Sequence, residues 1–172
     1  MFRKGFEYID EPYKTVLSML LDSLLQIYGD IIISLVVFGS VARGDYKRDS
    51  DVDLLLIMEE VRGGISERIK KFELAEDNIQ EELDKLFDEG VFISFSPIIL
   101  SEEEARKFRP IYLDMVEDAI ILYDENGFFE SILYRLRERL EELGAERVWI
   151  GNKWYWRLKR DYKFGEVIKI EL

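Results

Sequence analysis

Two acidic residues stand one position apart at the start of an apolar segment: Asp51 and Asp53 flank Val52 and precede the run LLLIM. Side chains alternate between the two faces of a β-strand, so both carboxylates would point to the same side, about 6.5–7 Å apart along the chain. Such a pair is repulsive unless a cation offsets it, and Mg²⁺ favours one or two carboxylates together with phosphates and waters. The spacing therefore predicts a site for a divalent cation.

A Gly-Ser turn lies ten residues before this pair and ends another apolar segment. Gly39 lets a ligand approach the backbone closely, Ser40 offers a hydroxyl, and amides that open a helical turn attract anions. Three basic residues follow in the same loop: Arg43, Lys47 and Arg48. Two acids there are interpreted as ordinary loop carboxylates: Asp45 and Asp49. A phosphate-holding turn beside a metal-holding pair provides the parts that phosphoryl transfer requires.

The residue types that the chain lacks narrow the chemistry further. Its 172 residues include no Cys and no His, which excludes disulfides, thiolate or imidazole nucleophiles and histidine metal ligands. The 36 acidic and 24 basic residues give a formal charge of -12, which disfavours nucleic-acid binding over the whole surface. The first residues, MFRKGFEYIDEP, lack the apolar core of a signal peptide, and no run is apolar enough to span a bilayer. We expect a cytoplasmic protein.

The apolar pattern predicts the elements that position these side chains. Residues 31–38 and 52–58 are short, β-branched runs typical of strands buried on both faces. Helices are predicted over residues 12–28 and from about residue 65 to 87, where Gly90 ends the second helix.

The rest of the chain continues this alternation. Residues 91–100, VFISFSPIIL, predict a third strand whose proline favours a sheet edge, and Ser101 with Glu104 predicts a helix-capping box. Residues 119–123 predict a fourth strand, and an apolar stripe predicts a last helix over residues 129–143. The expected fold is α/β or α+β, a mixed β-sheet flanked by helices.

The Gly-Ser turn and the acidic pair together resemble a known signature. Gly39-Ser40, ten residues and Asp51-Val52-Asp53, set in GSVARG and SDVDLLL, resemble the motif of the minimal nucleotidyltransferases of the DNA polymerase β superfamily. The resemblance implies that fold and a transfer of a nucleoside monophosphate, AMP from ATP, to a hydroxyl with two Mg²⁺ ions. It implies that Asp51 and Asp53 are catalytic metal ligands. Gly39 and Ser40 would bind the triphosphate, with Arg43 and Lys47 neutralising its charge.

One position departs from this signature. The family's third carboxylate lies on a later strand, and the predicted strand there contains Ser94 and Ser96 and no acid. Residues 102–104 are all Glu, but their position predicts the charged first turn of a helix. Two alternatives stay open. Small family members often act as antitoxins that adenylylate a HEPN-type toxin, whereas a chain without the third carboxylate would be a weak or inactive nucleotide-binding or partner-binding module.

The end of the chain has its own composition. We predict a nucleotidyltransferase domain over residues 1–150 and a basic aromatic tail over residues 151–172. Residues 153–163, KWYWRLKRDYK, hold five basic residues, four aromatic residues and one acid. We expect Trp154 and Trp156 to pack on the body of the protein. The alternative is a tail that binds a nucleotide, an RNA end or an acidic partner by stacking and charge.

Overall fold

A five-stranded mixed sheet forms the centre of the molecule. The computed structural model describes residues 1–47 and 50–172. The strands are β1 (Arg3–Lys4), β2 (Ile32–Phe38), β3 (Val52–Met58), β4 (Phe95–Ser101) and β5 (Ile120–Asp124). Their order is β1-β5-β2-β3-β4, with β1 parallel to β5, β3 parallel to β4, and β2 antiparallel to both of its neighbours. This confirms the predicted mixed sheet.

Seven helices cover the two faces of the sheet in the described part of the chain. They are α1 (Tyr13–Tyr28), α2 (Gly39–Arg43), α3 (Ile65–Asp77), α4 (Gln80–Asp88), α5 (Glu102–Ala105), α6 (Tyr112–Asp118) and α7 (Phe128–Leu143). Buried side chains of α1, α3 and α4 pack on one face, and those of α5, α6 and α7 pack on the other. The predicted helices over residues 12–28 and 129–143 are confirmed, as is the Ser101–Glu104 capping box. None of the described helices is both long and apolar enough to cross a membrane.

The single helix predicted from residue 65 to 87 is wrong, because the chain breaks between α3 and α4. Ile79 leaves helical geometry and is buried in the core. The side chain of Asn78 donates to the hydroxyl of Ser23 on α1 at 3.0 Å, and that hydroxyl donates to the Ala75 carbonyl at 2.9 Å. A polar contact with a neighbouring helix thus fixes the break, which the apolar periodicity of the segment does not reveal.

The third predicted strand is correct in its second half only. Residues 91–94 precede β4. The Val91 N–H donates to the Leu86 carbonyl at 2.8 Å, so Val91 closes the end of α4 instead of starting the strand. The other predicted strands are confirmed as β2, β3 and β5, and all seven residues of β2 are buried. The short helices α2 and α6 and the two-residue β1 lie outside the predicted pattern.

Strand β4 is one edge of the sheet, and some of its outward backbone groups are occupied. The Ser94 carbonyl accepts from the Val52 N–H, so the backbone groups of Ser94 and of every second residue after it point towards β3. The backbone groups of Pro97, Ile99 and Ser101 therefore point away from β3. Pro97 has no N–H. Arg68 donates to the Ile99 carbonyl at 3.0 Å, and Glu104 accepts the Ser101 N–H at 2.9 Å. These groups are therefore unavailable for pairing with another strand.

A second, two-stranded sheet follows the main one. Strands β6 (Glu146–Ile150) and β7 (Lys153–Arg157) form an antiparallel hairpin, whose turn contains the domain boundary predicted after residue 150. Trp154 and Trp156 lie on the same face of β7, and each donates its indole N–H to the Asp114 side chain. Several basic residues of the tail are paired with acids there: Arg157 and Arg160 with Glu146, and Lys159 with Glu166.

Candidate active site

The Gly-Ser turn connects β2 directly to the short helix α2. Gly39 has φ +71°, the left-handed region that favours glycine. A Cβ atom at this position would come 2.1 Å from an oxygen of Asp53. Two features therefore favour glycine at position 39: the backbone conformation and the close approach of the Asp53 carboxylate. Phe38 provides no side-chain cap to α2, so the first amides of α2 are not satisfied from there.

The two aspartates lie where the spacing predicted, on one side of the sheet. Asp53 is the second residue of β3 and stands opposite Phe38 of β2. Odd-numbered residues of β3 pack on the α6–α7 face, so Asp53 and, by the same alternation, Asp51 belong to that face. Asp53 is half-buried and Asp51 is exposed. The structure therefore brings the carboxylate pair together with the Gly39-Ser40 turn.

The surroundings of Asp53 combine burial with two charges of opposite sign. Burial raises the pKa of the Asp53 carboxyl, the negative charge of Asp51 raises this pKa further, and the positive charge of Arg43 lowers it. The raised pKa shows that the surroundings disfavour the ionised form of Asp53. A cation placed between the two carboxylates would remove this penalty.

Two serines occupy the neighbouring strand at the same level. Ser96 of β4 is directly opposite Asp53, and Ser94 donates its hydroxyl to Asp51 Oδ1. The position next to the acidic pair is thus filled by hydroxyls. Residues 102–104 lie at the other end of β4 and form the first turn of α5. Among residues 1–47 and 50–172, no cluster of three or more potential acidic or histidine ligands is present.

These donors fit one hard divalent cation that is shared with a substrate. Mg²⁺ binds through one or two carboxylates and completes its shell with phosphate oxygens and waters. Asp51 and Asp53 supply two carboxylates on one face, and the exposed hydroxyl of Ser96 lies beside them. A site that required three carboxylates would not be satisfied by the described residues.

Arg43 is the basic residue that the fold places at this site. Its Nε donates to Asp45 at 3.1 Å, and its Nη1 lies 4.0 Å from Asp118 Oδ2. Its guanidinium carbon is 4.9 Å from the centre of the Trp154 ring. Asp45, which the sequence indicated to be an ordinary loop carboxylate, therefore also accepts a hydrogen bond from Arg43.

Lys47 is placed differently. Its side chain is exposed, and it forms no ion pair with residues 1–47 or 50–172. Its backbone N–H donates to the Ser50 hydroxyl at 2.9 Å, which fixes a turn before β3. The structure thus gives Lys47 a backbone contact and no contact with the acidic pair. Arg48 and Asp49 lie outside the described residues.

The surroundings of Arg43 include residues that the motif did not indicate. Asp118 ends α6 and is bound by both Nη atoms of Arg147, one of them at 3.1 Å. The Arg147 guanidinium carbon also lies 4.2 Å from the centre of the Trp154 ring. The aromatic composition of residues 153–163 indicated that this segment packs on the body, but no sequence spacing connected it with Arg43.

Comparison with known proteins agrees with the motif. The chain matches the profile of the nucleotidyltransferase domain over residues 17–148. A protein of Methanocaldococcus jannaschii named "Putative protein adenylyltransferase MJ1305" is 26% identical over 151 residues, which cover 87% of this chain and 96% of that protein.

Two solved structures show a weaker similarity. A toxin–antitoxin crystal structure with AMP-PNP has a TM-score of 0.43 and 16% identity, covering 73% of this chain and 90% of that one. The crystal structure of the toxin–antitoxin MntA-HepT has a TM-score of 0.40 and 14% identity, covering 72% and 83% of the respective chains.

Proposed function

The chain belongs to the nucleotidyltransferase domain family, whose members are enzymes with a nucleotide substrate, and we propose that it transfers AMP from ATP to a hydroxyl group with Mg²⁺ at Asp51 and Asp53. The observation that carries this proposal is the contact between Asp53 and Gly39. It joins the predicted metal ligands to the predicted phosphate-binding turn in one site.

Each part of the site has a role in this reaction. The amides after Gly39 and the Ser40 hydroxyl hold the phosphates, and Arg43 offsets their negative charge. Bound Mg²⁺ would neutralise phosphate charge and favour the leaving of pyrophosphate. The acceptor oxygen forms a bond to the α-phosphorus while the bond from that phosphorus to the pyrophosphate oxygen breaks. The proton of the acceptor hydroxyl passes to water, which can reach the site because Asp51 and Ser96 are exposed to solvent.

The finer part of the proposal is the acceptor. The similar protein of M. jannaschii is named as a protein adenylyltransferase, which supports a protein hydroxyl as the acceptor here. The HEPN-type toxin as acceptor, and with it an antitoxin role, depends on the family resemblance. We also propose that residues 1–150 form the catalytic domain, with residues 151–172 packed on it.

A second function is favoured by one observation. Ser96 stands opposite Asp53, on the later strand for which the resemblance implies a third carboxylate. A hydroxyl is a poor base and a weak metal ligand compared with a carboxylate. The alternative function is a nucleotide-binding or partner-binding module that turns over slowly or not at all.

Calorimetric titration with ATP, with and without Mg²⁺, tests the binding step. We expect Mg²⁺-dependent binding that weakens on the order of tenfold or more in Asp51→Asn and Asp53→Asn, because each change removes one charged ligand. Glu60→Gln is the matched control, since it removes one acid just after the far end of β3. Binding that ignores both Mg²⁺ and the two substitutions would contradict the proposed site.

Incubation with ATP labelled at the α-phosphate tests transfer. When the incubation contains an extract of the cells in which this chain occurs naturally, the label should appear on a protein band. Both aspartate variants should abolish this band, whereas Glu60→Gln should retain it. Tight Mg²⁺-dependent ATP binding without any labelled acceptor would favour the module instead of the enzyme.

A further inference from the structure

The β6–β7 hairpin reaches the candidate active site through the contact between Trp154 and Arg43. Arg43 ends α2, the short helix that begins at the Gly39-Ser40 turn, and its positive charge lowers the pKa of Asp53. The Trp154 ring centre lies 4.9 Å from that guanidinium. The family match ends at residue 148, so Trp154 lies beyond the matched residues.

Arg43 needs support from outside its own loop to keep one position. An arginine side chain has many rotamers, and holding one of them has an entropic cost. Asp45 is 58% exposed and therefore provides a weak hold. Asp118, which is 15% exposed and 4.0 Å away, and the half-buried Trp154 add contacts that are better shielded from water.

Trp154 is itself fixed by neighbours that also fix Asp118. Its indole N–H donates to Asp114 Oδ1 at 2.8 Å. Arg147 lies 4.2 Å from the centre of its ring and donates to both carboxylate oxygens of Asp118. Arg147 thus braces both groups that contact Arg43 from outside its loop.

We propose that Trp154 is a positioning residue of the nucleotide site, whose ring holds the guanidinium of Arg43 in place at the end of α2, the short helix that begins at the Gly39-Ser40 turn. This inference rests on the proposed function, in which Arg43 faces the nucleotide phosphates. A cation close to an indole ring is attracted by the ring quadrupole, most strongly where water is excluded. The hairpin is then a working part of the site, although its second strand follows the matched family domain in the sequence.

Trp156 provides a matched control. It lies two residues further along β7, on the same face, and donates its indole N–H to the same Asp114 oxygen at 2.9 Å. Its ring packs against the core of the α6–α7 face. Trp156→Leu therefore removes an equivalent indole and hydrogen bond, and Trp154→Phe removes the hydrogen bond of Trp154 while it retains an aromatic ring.

The first measurement is the affinity for ATP with Mg²⁺ in the full chain. Trp154→Leu should weaken binding roughly 3- to 30-fold, the range expected for loss of a cation–π contact. Trp154→Phe and Trp156→Leu should stay within about threefold of the wild type. In an Arg43→Met background, Trp154→Leu should cause no further loss, because the group that it positions is absent. Equal losses in Trp154→Leu and Trp156→Leu, or additive losses with Arg43→Met, would overturn the proposal.

The second measurement follows Arg43 without any nucleotide. NMR of the ¹⁵N-labelled arginine side chains should show an ordered Arg43 Nε–H in the wild type, in Trp154→Phe and in Trp156→Leu, and a mobile one in Trp154→Leu. An Arg43 signal that stays ordered in Trp154→Leu would refute the positioning role. If the wild type does not bind ATP, the proposed function fails, while this signal still decides whether Trp154 holds Arg43.

Discussion

Two carboxylates near opposite ends of the β3–β4 pair have opposite surroundings. Glu104 accepts hydrogen bonds from Arg68 at 2.6 and 3.0 Å and from the Ser101 N–H at 2.9 Å. These contacts lower the pKa of Glu104 to about 2. Asp53 is half-buried beside Asp51, and burial together with that neighbouring charge raises its pKa.

The difference separates a carboxylate that the fold satisfies from one that we propose binds a cation. The hydrogen-bond partners of Glu104 lie within the fold, and together Glu104 and Arg68 occupy two backbone groups on the outer side of β4. Asp53 lacks a comparable set of donors among the described residues, and its packing against Gly39 maintains an unfavourable charge pair. Sites that bind cations or transfer groups commonly keep such perturbed carboxylates.

Breaking the ion pair at the sheet edge should have the largest effect on stability. Arg68→Met leaves Glu104 partly buried without its charged partner, and we expect the free energy of unfolding to fall by about 1–3 kcal/mol. Denaturant melts measure this change. Glu103→Gln is the control, because Glu103 is 84% exposed and pairs with the exposed Lys107, and it should cost less than about 0.5 kcal/mol.

The stability that Glu104 contributes should depend on pH in a defined direction. Its pKa is about 2 in the folded chain and near 4.5 in the unfolded chain, so the unfolded chain binds more protons between these values. The contribution is present above pH 4.5 and is lost as the pH falls towards 2. Glu104→Gln should therefore differ from the wild type at pH 6 and approach it near pH 2. A constant difference across this range would contradict the assigned pKa.

The sequence predicted the site because its signals are local. Gly39-Ser40 and Asp51-Val52-Asp53 each lie at the end of a buried strand, and period-two alternation alone places both carboxylates on one face. The sequence did not predict Trp154 and Asp118 beside Arg43, because these contacts join segments that are distant in the chain and have no shared spacing. The break at Ile79 was missed for the same reason, since a contact with Ser23 of another helix fixes it.

A carboxylate added at Ser96 would give the site end of β4 a third acid. Ser96→Asp places this acid opposite Asp53, and Mg²⁺ affinity measured by calorimetry with a non-hydrolysable ATP analogue should rise about tenfold, because ligand charge governs binding of hard cations. Ser96→Asn adds similar volume without charge and should leave the affinity near that of the wild type. An equal response of both variants would show that Ser96 does not face the cation.

Removing the charge of Asp53 should have the smallest effect, and its sign should be opposite to that at Arg68. In metal-free buffer of low ionic strength, Asp53→Asn relieves the repulsion with Asp51, and we expect the free energy of unfolding to rise by about 0.5–1 kcal/mol. Thermal and denaturant melts measure this gain. Asp45→Asn serves as the control, because Asp45 faces Arg43 and its removal relieves no like-charge contact.

The same melts in saturating Mg²⁺ extend the comparison between Asp53→Asn and the wild type. If the cation binds between the two carboxylates, it stabilises the wild type through mass action and should cancel or reverse the advantage of Asp53→Asn. A variant that is less stable than the wild type without metal would mean that the fold satisfies Asp53 as it satisfies Glu104. The contrast between the two carboxylates would then be lost, and with it the electrostatic argument for a cation at the start of β3.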